Sequence, residues 1–60
     1  MKIWLIGAVG MLGSEFLTLL RIGNFEFVST TQEIVDITDK SAVESFIKNL
    51  NISHIINCAA

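Results

Sequence analysis

The sequence predicts an α/β fold, the opening part of a doubly wound parallel sheet in the order strand, helix, strand, helix, strand. Three observations predict it. Ile3-Trp4-Leu5-Ile6 is a continuous apolar run of β-forming residues, the pattern of a strand covered on both faces. Two later segments change to a helical period, with apolar residues at 12, 16, 19 and 20 and again at 43, 46, 47 and 50. Apolar stretches at residues 25–31 and 54–58 follow these segments in turn. Such alternation argues for parallel strands joined by right-handed crossovers.

Each element has a local reason. The first strand is bounded by Lys2 and Gly7. A helix begins at Gly10, with Leu12, Phe16, Leu19 and Leu20 as its apolar stripe and Ser14, Glu15 and Thr18 on other faces. Arg21 in its last turn suits the helix dipole, and Gly23 is expected to end it as a left-handed cap. The second strand is expected over Phe25 to Thr31, and Ile34-Val35 reads as a very short additional strand. Thr38 or Asp39 can cap the second helix. There Val43, Phe46, Ile47 and Leu50 form the apolar stripe, while Lys40, Glu44 and Lys48 form a solvated face with weak pairing four residues apart. Asn51 ends that helix, and His54 to Cys58 is expected to be a strand with a buried apolar centre. Trp4 and the four phenylalanines read as core, and His54 as a surface residue.

Composition narrows the function classes. Just over half of the residues are apolar and the formal charge is −2, which is globular and gives no reason to expect nucleic acid or an anionic membrane as partner. No apolar run approaches the ~18 residues of a membrane span. Cys58 is the only cysteine, which excludes an internal disulfide and suits a reducing, cytoplasmic setting. No cluster of His, Cys, Asp and Glu has metal-ligand spacing. Lys2 followed by apolar residues to Gly13 resembles the start of a secretion signal. Regularly spaced glycines, the absence of a small-residue cleavage site and the change to a helical period at Gly10 argue against that reading.

The stretch "GAVGMLG", residues 7–13, carries the chemistry. Gly7 ends a strand, and Gly10 and Gly13 fall where a helix begins. A helix N-terminus presents unpaired N–H groups and partial positive charge, which suits a phosphate. Gly7 permits the tight turn, Gly10 lets the backbone approach a pyrophosphate, and Gly13 lets the helix pack closely. The plain alternative is that all three merely serve a close-packed turn.

The spacing G-x-x-G-x-x-G, the stretch "VDITD" at 35–39, a helix, and then "HIINCAA" at 54–60 together resemble the extended short-chain dehydrogenase/reductases. Among these the sequence is most similar to the dTDP-4-dehydrorhamnose reductases, whose pattern is L-D-I-T-D, a helix, and a strand ending in N-A-A-A. Here the strand ends Asn57-Cys58-Ala59-Ala60, and, as in that group, residues 31–36 leave almost no room for a helix. The resemblance implies a Rossmann-type sheet that binds NADP or NAD. It places Gly7 at the turn and Gly10, Met11, Leu12 and Gly13 at the pyrophosphate. Asp36 and Ile37 would meet the adenine, the carboxylate accepting from its amino group. Cys58, Ala59 and Ala60 would lie against the ribose and nicotinamide. Reduction of the 4-keto group of a nucleotide-sugar substrate follows as the implied activity, in dTDP-L-rhamnose biosynthesis, and a homodimer is compatible with it. Other enzymes of the same family, an epimerase or a dehydratase, would share these residues, as would a non-catalytic dinucleotide-binding regulator.

Two departures stand out. An acidic residue about 20 positions after the glycines normally binds the ribose 2′-OH of NAD. Here the second strand ends Ser29-Thr30-Thr31-Gln32, and Glu33 is the first acid. Hydroxyls without a carboxylate tolerate a 2′-phosphate, yet no Lys or Arg follows to clamp one, so NADP and NAD both remain open. Ketone reduction also needs a proton donor, which in the resembled family is the tyrosine of Y-x-x-x-K beside a Ser or Thr. The sequence contains no tyrosine. Residues 1–60 are therefore expected to be the N-terminal half of an NAD(P)-binding domain, with the catalytic residues, the rest of that domain and a substrate domain beyond residue 60.

Overall fold

The computed structural model describes residues 1–59. Its elements are β1 (Ile3–Ile6), α1 (Met11–Ile22), β2 (Phe27–Thr30), α2 (Lys40–Leu50) and β3 (His54–Asn57). The strands form one parallel sheet in the order β2-β1-β3, so the expected α/β class and alternation hold. None of the helices among the described residues is long and apolar enough to cross a membrane.

β1 occupies the centre because all four of its side chains are apolar, and all four are buried. Its alternate residues serve opposite faces. Ile3 and Leu5 pack with Leu20, Phe16 and Leu17 of α1. Trp4 and Ile6 pack with Val35 and with Val43, Phe46 and Ile47 of α2. One helix therefore covers each face, as right-handed crossovers to strands on opposite sides of β1 require. Trp4 is fully buried, with its ring centroid 4.5 Å from that of Phe46. Its Nε1 donates to Thr30 Oγ1 at 2.9 Å, so the polar atom of this large side chain is satisfied inside the core.

Several local expectations are corrected. The inward face of α1 runs through Gly13, Phe16, Leu17 and Leu20, while Leu12 and Leu19 are 57% and 61% exposed. Gly23 sits in the right-handed region, and the left-handed residue is Asn24 at φ 56°. Phe25 N–H donates to Leu20 O and Asn24 N–H to Arg21 O, the two bonds of a Schellman cap. A Cβ at 23 would meet the ring of Phe25, an exposed side chain that can turn aside, so neither conformation nor packing demands glycine there. Because the cap uses the Phe25 amide, β2 starts at Phe27, two residues later than expected, and Phe25 is left exposed. Ile34-Val35 is not a strand. Both amides donate to Thr31 O, a turn that delivers Val35 into the core beside Trp4. β3 ends at Asn57, and among the described residues it is an edge strand with Ile55 48% exposed.

α2 follows its expected pattern at Val43, Phe46 and Ile47, while Leu50 is half-buried and outside the core cluster. Ala42, Val43, Phe46 and Ile47 face the core, and Lys40 and Glu44 approach to 3.9 Å in solvent, a pair of little energetic weight. Asn51, at φ 54°, ends the helix, with Ile52 N–H donating back to Ile47 O. Asp39, not Thr38, is the N-cap, and its side chain accepts from Ala42 N–H at 3.2 Å. Replacing Asp39 with alanine should lower stability by about 1 kcal/mol, read from urea denaturation. No change in the midpoint would show that this cap is energetically silent.

Candidate functional site

The register brings the strands to a level finish. Ile6 of β1 lies beside Thr30 of β2 and Asn57 of β3. The segments that leave these ends, starting at Gly7, Thr31 and Cys58, emerge side by side. Gly7 N–H donates to Thr30 O, and Cys58 N–H donates to Ile6 O at 2.8 Å, so the three exits are tied together. In an open α/β sheet, the crevice outside the carboxyl ends, where the chain switches direction across the sheet, is where ligands bind. Here that crevice lies beyond β1, between a connection that runs to β2 and one that arrives at β3.

The three glycines have three different environments. Gly7 adopts φ +80°, and a Cβ there would come within 2.8 Å of Ala59 N and the Cys58 carbonyl carbon. Both its conformation and the closeness of the chain after β3 require glycine. Gly13 is buried, and a Cβ there would overlap the Gly7 carbonyl oxygen and meet Ala8 Cα at 2.9 Å. Glycine at 13 thus seats the first turn of α1 directly on the turn that follows β1. Gly10 differs from both. Its φ of −75° and ψ of 170° are ordinary extended values, and a Cβ there would have Gly7 O at 3.8 Å as its one neighbour within 4 Å. Among the described residues, neither conformation nor packing requires glycine at 10.

Gly10 is also the N-cap of α1, and no side chain caps the helix. Ser14 N–H is the first to find an acceptor, in Gly10 O. The N–H groups of Met11, Leu12 and Gly13 lie in the first turn, where an α-helix supplies no acceptors, and the first turn carries no acidic side chain. Bare amides and an uncompensated dipole make this end of the helix suited to an anion.

Above the strand ends lies an open cavity of about 380 Å³, within the size range of small-molecule sites. Of the residues singled out from sequence, Gly7, Gly10, Asp36, Ile37, Cys58 and Ala59 line it. Segments far apart in the chain are thereby brought to one place. Met11, Leu12 and Gly13 do not line it; they form the adjoining turn of α1, with Met11 and Leu12 exposed and Gly13 beneath. Ala60 lies outside the described residues. Cys58 is a half-buried free thiol. His54 is exposed at the start of β3, away from the cavity, with its Nδ1 2.9 Å from Ser53 Oγ. Among the described residues no group of three His, Cys, Asp or Glu side chains could hold a metal ion.

Asp36 is the single charged side chain of the lining. Its Oδ1 accepts from the Thr38 hydroxyl at 2.6 Å and from the Thr38 amide at 2.9 Å. These bonds, the hydroxyl's first, hold the carboxyl below the ordinary carboxylate range. Asp36 therefore stays an anionic acceptor through the neutral range and loses its charge only as pH falls below the usual carboxylate values. Thr38 also lines the cavity and was not singled out from sequence; the D-x-T spacing, a signal for a side chain bonding two residues ahead, could have found it. At the end of β2, Thr31 and Gln32 line the cavity, but the hydroxyl oxygen of Thr30 is turned inward to Trp4. Glu33, the first acid after β2, is exposed and outside the lining.

This geometry defines a class: a doubly wound α/β protein with a ligand cavity at the carboxyl ends of its strands and a glycine-lined helix N-terminus beside it. More particularly, the chain belongs to the RmlD family, matching the family described as RmlD substrate binding domain over residues 1–60. It is 41% identical over 58 residues to a dTDP-4-keto-6-deoxy-D-glucose reductase of Streptomyces niveus, a match covering 95% of this chain and 20% of that protein. The crystal structure of a dTDP-4-dehydrorhamnose reductase from Clostridium acetobutylicum superposes with a TM-score of 0.92 at 40% identity, over 100% of this chain and 21% of that one. The chain thus spans about a fifth of the length of these relatives.

Proposed function

We propose that these residues form the cofactor-holding N-terminal part of an oxidoreductase that reduces the 4-keto group of dTDP-4-dehydrorhamnose with NADPH or NADH. Both relatives are named as reductases of a dTDP-linked sugar carrying a 4-keto or 4-dehydro group, which favours a reductase over an epimerase, a dehydratase or a regulator. The observation that carries the cofactor reading is Gly10. Gly7 and Gly13 are accounted for within the described residues, whereas Gly10 leaves open space beside the bare amides of the first turn, room that a ligand can use. A diphosphate seated on the amides of residues 11–13 fills that room.

The remaining assignments follow from the cavity. Asp36 and Ile37 receive the adenine, and Cys58 and Ala59 offer small side chains where the ribose and nicotinamide pass; Ala60 continues that stretch of sequence. When bound, the nicotinamide supplies the hydride. The chain's own part is to hold the diphosphate, present an ionised acceptor to the base, and keep the strand ends free of bulk. Thr31 and Gln32 stand at the ribose with neither a carboxylate to repel a 2′-phosphate nor a cation to attract one. A reducing compartment, the cytoplasm, suits the free thiol of Cys58.

The test uses the intact protein that contains this chain. Titration with NADPH and with NADH should show saturable binding, and dTDP-4-dehydrorhamnose should be consumed with equimolar oxidation of the bound nucleotide. Binding of neither nucleotide would overturn the cofactor assignment. Binding without turnover of this sugar would overturn the reductase assignment alone.

A further inference from the structure

Resting on the dinucleotide reading above, we infer that Thr38 is a positioning residue for adenine recognition: it engages one oxygen of the Asp36 carboxylate so that the other serves as the acceptor for the exocyclic amino group of the base. Asp36 Oδ1 carries both bonds, from a hydroxyl at 2.6 Å and an amide at 2.9 Å. Its second oxygen has no partner among the described residues, and the side chain lines the cavity. An aspartate on an exposed turn is ordinarily free to rotate, and a ligand must then immobilise it on binding. Two donors on one oxygen remove that freedom beforehand, which is where preorganisation gains affinity.

Thr38 has no competing duty that would explain this geometry. It does not cap α2, because Asp39 does. It is exposed and belongs to neither core cluster. Its hydroxyl donates to Asp36 and its backbone amide does the same. The carboxylate so held is an acceptor only, and adenine offers a donor at its amino group where hypoxanthine offers a carbonyl oxygen. Thr38 therefore acts on base discrimination through Asp36, without itself needing to touch the ligand.

The experiment compares binding of ADP and of inosine 5′-diphosphate to the intact protein and to Thr38→Val, Thr38→Ser, Asp36→Ala and the double variant, by calorimetry. Thr38→Val keeps the shape and the backbone bond and removes the hydroxyl. It should weaken ADP about five- to tenfold, the scale of one hydrogen bond's net contribution, and leave inosine diphosphate unchanged. Thr38→Ser should restore ADP binding. In the Asp36→Ala background, Thr38→Val should have no further effect. Equal weakening of both nucleotides, failure of serine to rescue, or a persistent effect without Asp36 would each overturn the positioning role while leaving the cofactor reading intact. Absence of ADP binding to the unaltered protein would overturn both.

Discussion

Replacing Gly10 with valine should abolish dinucleotide binding while the protein stays folded. The fold has room for the substitution. The backbone at 10 is extended, as valine prefers, and a Cβ there would make one ordinary contact with Gly7 O at 3.8 Å. The folding penalty is limited to a poorer N-cap, about 1 kcal/mol. The ligand has no such room, since branched carbons would occupy the space through which a diphosphate reaches the amides of residues 11–13. A loss of at least about a hundredfold in affinity, ~2.7 kcal/mol, is expected. Gly10→Ser separates the two effects more sharply. Serine is a good N-cap, so the melting temperature should hold or rise, while its Cβ and Oγ still intrude on the ligand. Calorimetry with NADPH and thermal denaturation on the same samples read both quantities. Unchanged binding in the valine variant would end the diphosphate assignment. A collapse of the fold in both variants would show that glycine at 10 is structural after all.

Gly10 also marks what could and could not be read from sequence. The order of the elements was legible because β1 is continuously apolar and each helix changes the spacing of its apolar residues. The convergence of the glycine turn with Cys58 and Ala59 was legible in the expected parallel pairing, which brings the ends of β1 and β3 to one edge, whereas the place of Asp36 and Ile37 beside them was legible only through resemblance. The stripe of α1 was misplaced for a physical reason. Its inward face begins at Gly13, and a residue without a side chain contributes nothing to a hydrophobic period. Leu12 and Leu19 fit a helical period by spacing alone, while Leu17 and Gly13 complete the inward face. The same limit applies at Gly23 and Asn24. Composition singles out the glycine as the left-handed residue, while the structure keeps it right-handed and assigns the left-handed turn to asparagine.

Alanine at Gly13 should be the most damaging single methyl group in this chain, and it tests the packing of the site rather than its ligand. On helix propensity alone, Gly13→Ala would stabilise α1 by about 1 kcal/mol. Against that gain stands the Gly7 carbonyl oxygen, which the new Cβ would overlap, with the Gly7 carbonyl carbon and Ala8 Cα both under 3 Å away. All three are backbone atoms and cannot rotate aside. Gly7 in turn is held at φ +80° with Cys58 and Ala59 against it, and its amide is bonded to Thr30. To admit the methyl group, α1 must lift away from the strand ends, withdrawing Leu20 and Phe16 from Leu5 and Ile3. Overpacking of this kind costs typically 1–3 kcal/mol and more when backbone must move, so a net loss of about 3 kcal/mol is expected. That is a large share of the ~5–15 kcal/mol that holds a domain together. The control lies one turn away: Gly10→Ala adds the same methyl group where only Gly7 O is near, and should change stability by no more than about 1 kcal/mol. Chemical denaturation of the two variants side by side reads the difference. If Gly13→Ala proves as stable as Gly10→Ala, the helix is not seated on the turn after β1, and the placement of its amides at the strand ends loses its structural basis.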